Sequence, residues 1–284
     1  MTAAAEDAAL VNADMQLASS RRARRDRVLG VVIPVVMLGL AVLAWHLTVV
    51  INQIPKYILP SPVDVYENLK TDWPTLLPAL WVTLQITFVA LFLALIGGVA
   101  FAIILVQSRW IELALYPFAV VLQVTPIVAI APLIIIYAPT TYVALLIVAF
   151  LVAFFPILSN MVQGLKSVDH NLLNLFDLYG AGWFQQLIHL KIPASMPYFM
   201  TGLRIGGGLS LIAAVVAEFA AGSAGAGSGL AFRLLESGFR HNYPRLYAAL
   251  LLLVLAGVAI FAVTSFISWL ALHRWHESAV RREN

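Results

Sequence analysis

No cysteine occurs in the 284 residues, which excludes disulfides, iron–sulfur clusters, thiolate zinc sites and a cysteine nucleophile. Charge is scarce too: Asp, Glu, Lys and Arg make up 11% of the chain, where a soluble domain carries about a quarter. No Gly-x-x-x-x-Gly-Lys-Ser/Thr is present, so the chain cannot cradle a nucleoside triphosphate in a P-loop. Neither His-Glu-x-x-His nor Gly-x-Ser-x-Gly occurs, and no pair of Asp stands in the middle of an apolar run, which leaves an intramembrane enzyme without a catalytic pair. Apolar residues, by contrast, reach 62% and come in runs longer than a bilayer is thick. This is the composition of an all-α, polytopic membrane protein. The formal charge of +3 sits mostly at the edges of those runs, where Lys and Arg orient spans rather than bind nucleic acid.

Six spans are expected. Residues 28–51 follow an Arg-rich N-terminal tail (1–27) and are long enough to cross the hydrocarbon as a helix, too long for the apolar part of a cleavable signal. The remaining five spans fall within residues 76–272. The first of them is the uncharged stretch Leu76 to Val106, and Leu113 to Leu165 is long enough for two, broken at Ala138-Pro139-Thr140-Thr141. Ala194 to Ala217 and Leu246 to Leu272 complete the set, and residues 273–284 form a C-terminal tail. An even number of spans puts both tails on one side. The segments on that side hold eleven Lys and Arg and the alternate segments five, with Arg204 inside a span. The positive-inside rule therefore places both termini and the loop 166–193 in the cytoplasm. No internal repeat is evident, which counts against a secondary transporter built from inverted repeats.

The loop 166–193 is the most informative segment. From Ser167 to Gly180 it reads as a short helix, with Ser167 as N-cap, Asp169 at the positive end of the dipole and Gly180 in the left-handed C-terminal position. Val168, Leu172, Leu175, Phe176 and Tyr179 form one apolar stripe, and Asp169, His170, Asn171, Asn174 and Asp177 are polar. Such a stripe can rest on the membrane surface, on the protein's own spans or in a groove of a soluble partner.

Gly180-Ala181, followed by Lys191-Ile192-Pro193-Ala194-Ser195-Met196-Pro197, resembles the EAA loop of ABC importer permeases of the binding-protein-dependent type. The similarity extends over about residues 80 to 272 through Gln123-Val124-Thr125-Pro126, Ala131-Pro132-Leu133, Phe154-Phe155-Pro156-Ile157, Gly164-Leu165 and Gly202-Leu203-Arg204-Ile205 ahead of Glu218. Together these resemble the nitrate/sulfonate/taurine branch, whose members also carry bicarbonate, riboflavin and pyrimidine precursors. The resemblance implies a type I importer permease fold and a bacterial inner-membrane subunit working with a second permease copy. It also implies cytoplasmic ATPases that hold ATP and Mg, and a periplasmic or lipid-anchored solute-binding protein. This chain itself would carry no cofactor. The residues it assigns to ATPase coupling are Leu172, Asn174, Leu175, Phe176, Tyr179, Gly180 and Ala181. Where the family usually has Glu-Ala-Ala, this chain has Asn174-Leu175-Phe176.

Candidates for the solute pathway come from depth. Arg204 lies about ten residues into its span, roughly 15 Å at 1.5 Å per residue, where a charge costs about 2.5 to 3.5 kcal/mol without a partner or a wet cavity. It either ties helices together or lines the path. Gln123 and Thr125, beside Pro126, are neutral hydrogen-bonding groups at a break in a helix, suited to transient solute contact or to interhelix bonds. Asn160 and Gln163 belong near the inner mouth and Glu218 near the outer one. Gly202, Gly206, Ser210 and Ala214 recur every four residues as a ridge for close helix approach. The run Gly222 to Gly229 reads as a mobile loop, and His273, His276 and Glu277 as a solvated tail rather than a metal site. A secondary transporter or channel without an ATPase is the alternative. It is weakened by the lack of titratable groups at depth other than Arg204.

Overall fold

The computed structural model describes residues 29–30, 32–222 and 228–273. The N-terminal tail, most of the glycine-rich run, and His276 and Glu277 lie outside the described residues. The chain divides into two compact units, residues 1–66 and 67–284.

In the first unit, α1 (Val32–Ile51) is long and apolar enough to span a membrane. After it, Ser61 and Asp64 form a reciprocal cap at the start of α2 (Pro62–Thr71). The Asp64 carboxylate accepts from the Ser61 N–H (3.1 Å) and hydroxyl (2.7 Å), and the Asp64 N–H donates back to Ser61 Oγ (3.2 Å). Burial opposes ionisation of Asp64. The ion pair with Lys56 and the bonds from Ser61 outweigh it and hold the carboxyl below its ordinary value.

The second unit contains α3 (Trp73–Gln107), α4 (Arg109–Val124), α5 (Ile127–Tyr137), α6 (Thr141–Lys166), α7 (His170–Leu178), α8 (Trp183–Gln186), a π-turn (Leu187–Lys191), α9 (Ile192–Ala221), α10 (Leu230–Phe239) and α11 (Tyr243–Leu272). Helices α3, α6, α9 and α11 are spans by length and hydropathy. Their bounds extend the expected runs by a few residues at most ends, because capped polar residues such as Asn242, which accepts from the Arg245 N–H (3.2 Å), prolong the helix beyond its apolar part.

The third expected span is not one helix. It is the pair α4 and α5, bent by 96°. Pro126 has no N–H and pushes the residue before it out of the helical region, so Thr125 is extended at φ −67°, ψ 127°. Helix α5 restarts at Ile127, ends at Tyr137 and is followed by Thr140, which caps α6 by accepting from the Val143 N–H (3.3 Å).

Helices α6 and α9 form the centre of the unit, with α3 against both. Lipid is as apolar as Leu, so close approach rather than the hydrophobic effect selects these pairings. A side chain at Gly206 would meet Ile157 and the Ala153 carbonyl at 3.0 to 3.3 Å, one at Gly202 the Pro156 carbonyl and Ile157 Cα at 3.4 and 3.2 Å, and one at Gly164 the Cβ atoms of Ser195 and Tyr198 at 2.8 Å. The small-residue ridge on α9 is therefore a packing surface, completed by the Ser210 hydroxyl donating to the Thr87 carbonyl on α3 (2.8 Å) and by fully buried Ala214. One apolar cluster unites Ile86 and Ala90 of α3, Ala131 of α5, Val148 and Ala149 of α6 and Ala214 and Ala217 of α9. A second, nearer the α6–α7 end, joins Leu105, Ala119, Leu158, Met161, Leu165 and Leu187.

Candidate functional site

Helix α7 follows α6 in the chain and precedes α8. Its N-cap is Asp169, whose carboxylate accepts from the Asn171 N–H (2.8 Å). This corrects the expectation for Ser167: that residue instead closes α6, its hydroxyl donating to the Gly164 carbonyl (2.8 Å). Val168 is buried and belongs to the body of the fold, so the helix is shorter than Ser167 to Gly180. At the other end Gly180 adopts φ 69°. The Ala181 N–H donates to the Phe176 carbonyl and the Gly180 N–H to the Asp177 carbonyl, both 2.9 Å, the paired bonds of a Schellman cap. Gly180 and Ala181 thus hold the C-terminal turn through their backbones.

No residue of α7 is buried. Leu172 and Leu175 are each 45% exposed and Tyr179 84%, while Phe176 is half-buried and Asn174 exposed. The protein's own spans do not cover the stripe. The chain continues through Gly182, whose N–H donates to Gln185 Oε1 (3.0 Å), into α8. Gln186 Nε2 donates to Asp177 Oδ1 (2.7 Å) and to the Ala181 carbonyl (3.2 Å), clamping α8 to α7. The result is a concave surface, a cavity of about 460 Å³ walled by Leu175, Phe176, Tyr179, Ala181, Gln185 and His189. Sequence reasoning found the stripe on α7 but not its second wall. That wall depends on the fold-back at Gly180 and the Gln186 clamp, neither of which has a periodic signature.

The pathway candidates are not brought together on one element. Gln123 is exposed in the last turn of α4, and Thr125 sits at the bend with its hydroxyl donating to the Val121 carbonyl (2.7 Å). That local bond absorbs the hydroxyl of Thr125 at the broken helix. Arg204 is exposed on α9, its guanidinium 6.0 Å from the centre of the Phe261 ring on α11. The structure gives it a ring rather than the backbone carbonyls of a structural tie. Around it Thr201, Ile205 and Ile212 are also exposed, and Gly208 has open space beside it. This strip of α9 is left uncovered by the chain. Asn160 bonds locally, its amide donating to the Pro156 carbonyl (2.8 Å).

At the opposite end of α9 lies a polar cluster that the apolar runs did not announce. Glu236 on α10 receives Arg233 (3.0 Å) and Arg240 (2.9 Å), with Arg245 of α11 close enough to add its charge. Arg245 in turn approaches Asp72 before α3 at 3.5 Å. Burial raises the Glu236 carboxyl, but the Arg233 bond and the three guanidinium charges overcome it and hold the group below its ordinary value. A depressed carboxylate adds stability that is present above the unfolded value of about 4.3 and is lost as pH falls through the folded one. Glu236→Gln should therefore lower the thermal midpoint at pH 7, and the gap from wild type should close below about pH 4. A gap of the same size at both pH values would dissociate the cluster from stability.

The comparisons with known proteins agree with this architecture. The family described as binding-protein-dependent transport system inner membrane component matches residues 94–282. A probable ABC transporter permease protein of Haemophilus influenzae is 29% identical over 242 residues, 85% of this chain and 96% of the relative. The riboflavin transport system permease protein of Chloroflexus aurantiacus is 33% identical over 254 residues (86% and 90%), and the formylaminopyrimidine transport permease protein of Halalkalibacterium halodurans 32% over 213 residues (72% and 81%). Permeases named for aliphatic sulfonates, nitrate, taurine and bicarbonate match at 25 to 27% identity. The bent α4–α5 pair, the small-residue packing of α6 on α9 and the exposed α7 turn are thus the frame of a transport subunit, and the chain belongs to the family of binding-protein-dependent transport system inner membrane components, as a membrane-spanning ABC permease of the nitrate/sulfonate/taurine-like branch.

Proposed function

We propose that the chain works as a homodimer in the bacterial inner membrane, with two cytoplasmic ATPases docked on the α7–α8 surface and a periplasmic or lipid-anchored binding protein delivering solute from outside. The observation that carries the reading is the uncovered stripe of Leu172, Leu175, Phe176 and Tyr179, of which the last three wall a concave surface held by the Gly180 turn and the Gln186 clamp. An aromatic and aliphatic patch of this kind, rigid and outside the spans, suits a protein groove. ATP and Mg belong to the partner ATPase, since this chain has no phosphate-binding loop.

A second copy covers the Arg204 strip of α9. Exposed to lipid, Arg204 would cost about 2.5 to 3.5 kcal/mol; between two copies it lines a wet path together with Gln123 and Thr125. The solute is a small anion or a small heterocycle. Two relatives above 30% identity are named for heterocycles, which favours that class.

Both termini face the cytoplasm by the Lys and Arg distribution. Because the native chain has no Cys, single-Cys labelling reads the orientation directly. Asp177→Cys should react only from the cytoplasmic side and Glu67→Cys only from outside. Gentle detergent purification should bring an ATPase with the permease. Reversed labelling, or a permease that purifies as a stable assembly with no ATPase, would overturn the reading.

A further inference from the structure

Glu218 is the one Asp, Glu, Lys or Arg buried among the described residues, with 3% of its surface exposed. A carboxyl so placed must find donors, and both of its oxygens do. Oε1 accepts from the Thr83 hydroxyl of α3 (2.7 Å), and Oε2 from the Ala231 N–H in the first turn of α10 (2.9 Å). The Leu230 N–H donates to Thr83 Oγ1 (2.8 Å). Two of the N–H groups that a helix start leaves without partners are thus satisfied by side chains of two different spans. Gly229, just before α10, completes the arrangement: any Cβ there would overlap the Glu218 carboxyl.

The position of this clasp along the chain gives it a consequence for transport. Trp183 to Ala221 is one continuous helical stretch of 39 residues, counting α8, the π-turn and α9, about 58 Å at 1.5 Å per residue. Its beginning forms one wall of the α7–α8 surface and its end carries Glu218. A stretch that moves as one body carries a displacement at the first to the second, together with whatever is bonded there.

We propose that Glu218 is a positioning residue that couples α10 to the ATPase-facing surface, by fixing the start of α10 to the far end of the α8–α9 stretch and to Thr83 of α3. It rests on the importer reading, which puts α10 outside. A contact made on α10 by the solute-binding protein is then transmitted to α7, and a change of the ATPase is returned to α10, since coupling between two sites is reciprocal.

The reverse direction is testable without knowing the solute. The complex, permease with its co-purified ATPase, is placed in lipid nanodiscs with a spin label on Phe239→Cys, an exposed position at the end of α10. ATP with vanadate is the probe, and the label's response is compared among Glu218→Gln, Thr83→Val, Thr83→Ser and the parent. The parent responds, and Thr83→Ser, which keeps the hydroxyl, responds like it. Glu218→Gln and Thr83→Val keep ATP hydrolysis but lose the response by at least about fivefold, the factor carried by one buried hydrogen bond. A role confined to stability would lower the yield of assembled complex and leave the response of the assembled fraction unchanged, and that result overturns the proposal. So does a full response in Thr83→Val alone, should Glu218→Gln fail to assemble, or no response in the parent. Absence of a co-purifying ATPase overturns the importer reading itself, and the proposal falls with it.

Discussion

Replacing Phe176 and Tyr179 together by Ala is expected to abolish coupled uptake while leaving the spans folded. Both side chains wall the concave surface between α7 and α8, Phe176 half-buried by the chain and Tyr179 almost wholly exposed. If an ATPase covers them, they become desolvated aromatic anchors, which at protein interfaces are worth about 2 kcal/mol or more each, a loss of roughly thirtyfold in affinity per residue. Two such losses release the ATPase from the detergent-purified complex. Gly180→Val reaches the same surface through the backbone. The φ of 69° is strained for a β-branched residue, and without it the Ala181 bond to Phe176 is lost and the α8 wall swings away. Co-purification at matched membrane expression is the measurement. Unchanged ATPase association and unchanged uptake in both variants would mean that the stripe rests on lipid.

Arg204→Ala should leave the proposed dimer and its proposed ATPase in place and lower uptake at least tenfold, with Arg204→Lys retaining part of the activity. An Arg facing lipid is a burden of about 2.5 to 3.5 kcal/mol, so Arg204→Leu would raise the yield of inserted protein and leave uptake untouched. An Arg facing a wet interior between two copies stands where an apolar side chain removes the only full charge on the exposed strip of α9, and uptake falls. The cation–π approach to Phe261 on α11 holds the guanidinium against its own chain and orients it. Solute uptake, measured beside co-purification of the ATPase, separates loss of the path from loss of assembly. Raised yield with normal uptake would remove Arg204 from the pathway.

The spans were legible because apolar runs of bilayer length have few alternatives in a chain with so little charge. The ridge on α9 was legible for a similar reason: a small residue every fourth position marks close helix approach, and α6 and α3 fill it. The bend at Thr125-Pro126 was only half legible. Proline predicts a lost bond and an extended neighbour, but the same residue inside α6, at Pro156, leaves the helix continuous. Whether the chain turns through 96° depends on α5 finding its place against α6 and α9. At α7 the choice of cap went to Asp169 rather than Ser167, because the Ser167 hydroxyl is claimed by the end of α6. Local pattern cannot rank two adjacent capping residues when two helix ends compete for them.

Hydrophobicity and helical periodicity therefore suffice for the membrane class, the unbroken spans and the amphipathic turn, since each is a property of neighbouring residues in one stretch of chain. Glu218 shows the complementary case. In the sequence it is one carboxyl at the end of an apolar helix, 135 residues from Thr83 and separated from Ala231 by a glycine-rich run. Its partners are set by how α3, α9 and α10 meet, and a buried carboxyl is tolerated only where several donors converge. That convergence arises from helix packing, where distances across space replace distances along the chain.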